Sequence, residues 1–247
     1  MKILFSPSEN KSKTNTQTCI NEDSFVFSNL YSKRLEVLAK YKNHIKQCNE
    51  GELEKFFGIK DINEMQELTQ DIITKDTNKA IQRYNGVAFE YLDYENLNED
   101  SRKYIDENVL IFSNLFGPIL AKDLIPYYKL KQGEKIKYFN IEKFYKDNFS
   151  NEVDKFLENE LIIDLRAKFY EKFYTIKQPF ITLTFLKNSK TLSHFAKAYR
   201  GKILRVLASK DVHNKETLLE NLPNELKIKE IKIQGLKEEI VLDIVVS

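Results

Sequence analysis

Apolar residues recur along this chain with two periods, and the switching between them predicts its elements. Lys2–Phe5 carries Ile3-Leu4-Phe5 and is a short strand, stopped by Ser6-Pro7. Residues 8–24 are polar and read as a loop. From Ser28 the period becomes helical: Tyr31, Leu35, Leu38, Tyr41 and Ile45 recur at three and four, while Lys33, Arg34, Lys40 and Lys42 fill the other face. Ile62, Met65, Leu68, Ile72 and Ile73 mark a second helical stretch on an acidic background. Ala80–Tyr84 reads as a helix end stopped by Asn85-Gly86. Strand-like segments follow at Val87–Leu92, Val109–Phe112, Leu161–Leu165, Phe180–Leu186, Lys227–Ile233 and Ile240–Val246. Helical patterns fall at Ile119–Ile125, Asn140–Phe149, Asn151–Asn159, Ser193–Ala208 and Lys215–Leu222.

Helices and strands thus interleave from end to end, with no internal repeat and no Pro/Gly/Ser linker. That pattern predicts a mixed α/β (α+β) protein, residues 1–247 forming one domain around a central mixed β-sheet flanked by helices. The 247 residues with 42% hydrophobic content are enough for a sizeable core. No apolar run approaches the roughly 18 residues of a membrane span, so no membrane association is expected. The opening Met1–Ser6 turns polar too soon for a signal-peptide core, and a cytoplasmic location is expected. Cys19 and Cys48 form neither a metal spacing nor a disulfide framework. His44, His194 and His213 lack partners at ligand spacing, so no metal and no cofactor is expected.

Lys+Arg total 39 and Asp+Glu 37, a net charge of +2 that excludes a basic-tail protein and an acidic disordered chain. The balance conceals an asymmetry. From Lys172 to Lys210 there are nine basic residues and no acidic one. Leu192, Phe195, Tyr199, Ile203 and Val206 form the apolar face of the 193–208 helix. Lys197 and Arg200 lie three apart on another face, and so do Lys202 and Arg205. Gly201 among them permits the close approach of a ligand or of another backbone. Two readings stand side by side: a solvated basic face with acidic partners elsewhere in the fold, or a phosphate-contacting helix. Tyr127, Tyr128 and Tyr199 interleave with Lys129, Lys131, Lys197 and Arg200, where rings either stack on bases or complete the core.

Five blocks in order resemble the YaaA family of bacterial peroxide-stress proteins. They are Phe5-Ser6-Pro7-Ser8-Glu9-Asn10-Lys11; Arg83-Tyr84-Asn85-Gly86-Val87 with Tyr91-Leu92-Asp93; Phe112 to Gly117 with Asp123 to Leu130; Ile163-Asp164-Leu165-Arg166 with Tyr170; and Ser193-His194-Phe195-Ala196-Lys197-Ala198-Tyr199-Arg200-Gly201. The chain departs from the family where Leu120-Ala121-Lys122 replaces its Arg-Pro before Asp123, and where Asn114 replaces the first glycine of a Gly-x-x-Gly turn. Lys122 supplies a point charge there without the fork of an arginine. The resemblance implies a cytoplasmic peroxide-stress protein tied to limiting free iron and oxidative DNA damage. It also implies DNA binding through a basic cleft and a helix-hairpin-helix-like element.

On that footing the expected partner is DNA, duplex or structured, gripped by its backbone. Lys11, Arg83, Lys122, Lys129, Lys131, Arg166, Lys168, Lys197, Arg200, Lys202 and Arg205 would line one positive cleft. Glu9, Asn114, Gly117, Asp123, Asp164, His194 and Gly201 are the other block positions expected near it. Asn114 and Gly117 could turn backbone N–H groups toward a phosphate, or simply join two elements. Asp164 and Arg166 either pair on a strand or serve a site at its C-terminal end. The alternative is an enzyme acting on a small phosphorylated or nucleotide-like ligand, with Glu9 or Asp164 as acid/base and Lys197 and Arg200 as phosphate clamps. Direct handling of iron is disfavoured by the sparse His and Cys. A confined pocket would favour the enzyme, and an open groove DNA.

Overall fold

The computed structural model describes residues 1–187, 190–191 and 193–245, and the side chains of 190–194 lie outside that description. In chain order the elements are β1 (Lys2–Phe5), α1 (Tyr31–Gln47), α2 (Glu50–Phe57), α3 (Ile62–Thr69), β2 (Thr77–Lys79), α4 (Ala80–Arg83), α5 (Val87–Leu92) and α6 (Glu99–Asn108). Then come β3 (Val109–Ser113), β4 (Gly117–Leu120), β5 (Leu124–Pro126), α7 (Ile141–Leu157), β6 (Ile162–Asp164) and β7 (Phe180–Lys187). The chain continues with β8 (Lys190–Thr191), α8 (Ser193–Ser209), α9 (Lys215–Glu220), β9 (Leu226–Gln234) and β10 (Lys237–Ile244). It is a mixed α/β fold. No helix among the described residues is long and apolar enough to cross a membrane.

The main sheet runs β4-β3-β1-β6-β7-β10-β9, with β8 attached to β7. The five strands from β3 to β10 are parallel, and β4 and β9 close the two edges antiparallel. Burial on both faces explains why β1, β3 and β6 are continuous apolar runs rather than alternations. Ile3 pairs with Val109 on one side and Ile163 on the other, so the first strand made lies in the interior of the sheet. The chain leaves β1 toward β3 on one side, then returns across it to β6 and onward to β7. The order therefore reverses between β1 and β6, and a crevice opens outside the carboxyl ends of such a strand pair. β2 and β5 form a separate two-stranded ladder.

Three elements differ from the sequence expectation. Val87–Leu92 is a helix: Phe89 and Leu92, three apart, share its buried face, and Gly86 at φ 147° resets the chain direction before it. Ile119–Ile125 is not a helix, because Ile119 pairs with Ile111 in β4 and Ile125 with Asn78 in β5. The stretches around residues 140–149 and 151–159 are one helix, α7, whose Ile141, Tyr145, Phe149, Val153 and Leu157 are buried at a spacing of four. β10 ends at Ile244, Val246 of the expected strand lying outside the described residues, as does Leu192 of the expected α8 face.

Candidate anion-binding cavity

At the reversal between β1 and β6 the structure holds a cavity of about 300 Å³. Its walls come from four places. The loop after β1 supplies Ser6 to Asn10, the end of β6 supplies Leu165 and Ala167, the start of α5 supplies Gly86 to Phe89, and α8 supplies Lys197 and Arg200. Phe5, Phe89, Leu165 and Tyr170 give it an apolar floor, and Gln132 closes the rim beside Glu9.

The walls are tied to one another. The Ala167 N–H donates to Ser6 Oγ at 2.7 Å, joining the two strand ends. Ser8 Oγ donates to the Asn85 carbonyl at 2.6 Å, and the Asn85 N–H donates to the Asn10 carbonyl at 2.9 Å. Below this loop Lys11 Nζ donates to the carbonyls of Ser8 and Glu9 and lies 4.3 Å from the Tyr128 ring centre. Burial pushes the Lys11 ammonium down to about 7; Glu9 pulls it back up, and Lys129 and Arg83 depress it further. The hydroxyls of Tyr84, Tyr128 and Ser113 continue the polar contacts inward, at 2.8 and 2.9 Å.

α8 is held by its apolar face. Ile203, Leu204 and Leu207 are fully buried, and Tyr199 stacks on Phe185 at 5.5 Å. Gly201 makes the close approach anticipated for it, toward a backbone: a Cβ there would stand 2.0 Å from the Ala88 carbonyl oxygen of α5. Lys197 and Arg200, one turn apart, consequently sit at the cavity wall. Among the described residues neither makes a hydrogen bond, an ion pair or a ring contact within the chain. Burial depresses the Arg200 guanidinium, and the nearby Asp164 counteracts it.

The other expected cations are placed differently. Arg83 is fully buried and donates to the carbonyls of Ile125 and Ser12 and to Asn15 Oδ1. Arg166 grips Asp164 with two 2.9 Å bonds and reaches the carbonyls of Tyr170 and Tyr174, so this pair is an internal brace. Lys202 pairs with Glu225 and Arg205 with Asp93, so acidic partners from elsewhere neutralise part of the stretch that lacks its own. Lys129 pairs with Glu64, and Lys131 donates to the Lys55 carbonyl. Lys122 is exposed beside Asp123, and Lys168 is exposed next to the cavity residue Ala167. His194 lies in α8 with its side chain outside the described residues.

The turn at Asn114 and Gly117 joins β3 to β4 and is buried. Tyr145 Oη donates to the Leu115 carbonyl, and Arg34 donates to the carbonyls of Phe116 and Pro118. Its carbonyls thus serve α1 and α7, and the N–H groups of Leu115 and Phe116 donate to Ser113 Oγ within the turn. Asp123 is buried too, accepting from the N–H groups of Val26 and Leu120, and burial pushes its carboxyl up to about 6. Tyr127, Tyr128 and Tyr199 are core residues. Arg34, placed by its spacing on the polar face of α1, is completely buried. Among the described residues no three His, Cys, Asp or Glu are placed to hold a metal ion.

A mixed sheet with a crevice at its order reversal, walled in part by Lys197 and Arg200, defines an α/β protein with a candidate site at its strand ends. The chain belongs to the family described as peroxide stress protein YaaA, whose profile matches residues 1–231. It is 53% identical over 244 residues to a protein of Campylobacter jejuni, 99% of each chain being covered. UPF0246 proteins of Corynebacterium glutamicum and Fusobacterium nucleatum are 30% and 29% identical, covering 89% of this chain and 90% of theirs.

Proposed function

We propose that this member of the peroxide-stress family is a cytoplasmic DNA-binding protein that limits iron-dependent oxidative damage to DNA. Its phosphate contact is the mouth of the cavity between β1, β6, α5 and α8. The observation that carries this reading is that Lys197 and Arg200 line that space and make no hydrogen bond or ion pair among the described residues, with Asp164 near Arg200. Cations not spent in ion pairs attract phosphate. Lys168, exposed at the adjoining strand end, adds to the field.

The test is the salt dependence of duplex binding by the full chain. Each phosphate contact contributes about 0.9 to the slope of log affinity against log salt. The double variant Lys197→Ala/Arg200→Ala should therefore flatten that slope by roughly one to two units while staying folded. A folded double variant with the wild-type slope would remove these residues from the interface.

The confinement of the cavity supports a second reading, an enzyme acting on a small phosphorylated ligand, with Glu9 as the acid/base on the rim. Saturable, Arg200-dependent binding of free nucleoside monophosphates by a protein with no DNA affinity at low salt would put this reading first.

A further inference from the structure

We infer that the cavity takes one unpaired nucleotide of a DNA strand, its phosphate on Lys197 and Arg200 and its base over the apolar floor. This rests on the DNA-binding reading and adds what the site distinguishes. The space of about 300 Å³ is at the small end of ligand pockets, large enough for one nucleoside and far too small for a duplex. Its polarity is mixed as a nucleotide's is. Its lining combines the cations of α8, the buried Phe5, Phe89 and Leu165, and the exposed Asn10 and Gln132. Side-chain amides offer a donor and an acceptor together, the pattern that a base edge presents in return.

Two further observations point the same way. The hydrogen bonds from Ser8 to Asn85, from Asn85 to Asn10 and from Ala167 to Ser6 tie the walls of the cavity together, which lowers the cost of ordering them around a ligand. Arg83, Arg166, Lys129, Lys202 and Arg205 are engaged within the protein, which leaves Lys197, Arg200 and the adjoining Lys168 as the cations at the cavity. Affinity beyond a shallow electrostatic term must then come from the cavity. Extruding a base from a duplex is costly and is cheapest where the base is already unpaired. The site should accordingly prefer bulges and mismatches to matched duplex.

The experiment places the fluorescent base 2-aminopurine either as a single-nucleotide bulge or within a matched duplex, and titrates each with the full chain at low salt. The bulged DNA should bind about ten-fold tighter or better, and its emission should change with the same midpoint as binding. Val87→Trp, which fills the rim from α5, should draw the two affinities to within about two-fold of each other. If that variant does not fold, Asn10→Ala/Gln132→Ala, both at exposed positions, should weaken the preference instead. Equal affinities, with emission unchanged on DNA that is demonstrably bound, would overturn the inference and leave the DNA reading standing. Absence of binding to either DNA would overturn both.

Discussion

Asp164 and Arg166 show how a charge pair can mark a site without belonging to it. The pair is bidentate and buried, one step from the strand end that carries Leu165 and Ala167 into the cavity. Removing one partner leaves the other charge uncompensated in the interior, so Arg166→Ala should cost about 3–5 kcal/mol in urea denaturation. An unchanged denaturation midpoint would show that the guanidinium is replaceable there. Lys11 makes a prediction with a definite sign. Its folded pKa of about 7 lies below the ordinary 10.5, so between those values the unfolded chain binds more protons than the native one. The stability of wild type relative to Lys11→Met should therefore rise as pH is raised from about 7 to about 10.5, and be flat below it. A relative stability that fell over that range would mean that the native state holds the ammonium charged. The pairing of Asp164 with Arg166 was one reading of the sequence, but the burial of that pair and of Lys11 was not legible there. A lysine in a polar loop and an arginine on an apparently polar helix face look alike until tertiary contacts bury them, and Arg34 is the clearest case.

At the scale of elements, α5 and α8 form the cavity wall because they touch through Gly201 and Ala88. A methyl group at 2.0 Å from a backbone carbonyl forces the helices apart. Gly201→Ala should lower stability by about 1–3 kcal/mol and weaken DNA binding as Lys197 and Arg200 shift away from the β1 loop. A variant with unchanged melting and binding would show that the contact is slack. The strands were legible where both faces are buried, since Lys2–Phe5, Val109–Ser113 and Ile162–Asp164 are short apolar runs that no helical period fits. α5 was not, because six residues with β-branched and aromatic members satisfy a strand pattern as well as one helical turn and a half. The β4–β5 stretch Ile119–Ile125 was mistaken for a helix for a related reason. Its buried Ile119 and Leu120 give no alternation when both faces are covered.

At the scale of the molecule, the five parallel strands and their order reversal place the N-terminal loop, residues 165–167 and α8 around one space, although they are far apart in the chain. Only part of this was readable in advance. Of the five motif blocks, four (Ser6 to Lys11, Arg83 to Val87, Asp164 to Arg166 and Lys197 to Gly201) have segments at or beside the cavity, and the Phe112 to Leu130 block lines none of it. What no sequence shows is which cations remain available, because Glu225, Asp93 and Glu64 reach Lys202, Arg205 and Lys129 across the fold. The sheet also grades the protection of its backbone. Amides of β1, β3 and β6 should exchange with solvent only on global unfolding, whereas the unpaired edge of β9, exposed over almost its whole length, should exchange much sooner. Uniform protection across the sheet would mean that the β9 edge is covered in solution.

The interior position of β1 has a consequence for synthesis. This strand leaves the ribosome first, but its neighbours arrive only with Val109 and Ile162. At roughly 5–20 residues per second, β1 waits roughly 5–20 s for β3 and roughly 8–30 s for β6, a short apolar ribbon with an open edge available to chaperones or to other nascent chains. A chain arrested after α7 has cleared the exit tunnel should still expose Lys2–Phe5 to protease, and one extended through β6 should not. The site, which needs Ser6 and Ala167 together and α8 after them, comes into being only after α8 has been made.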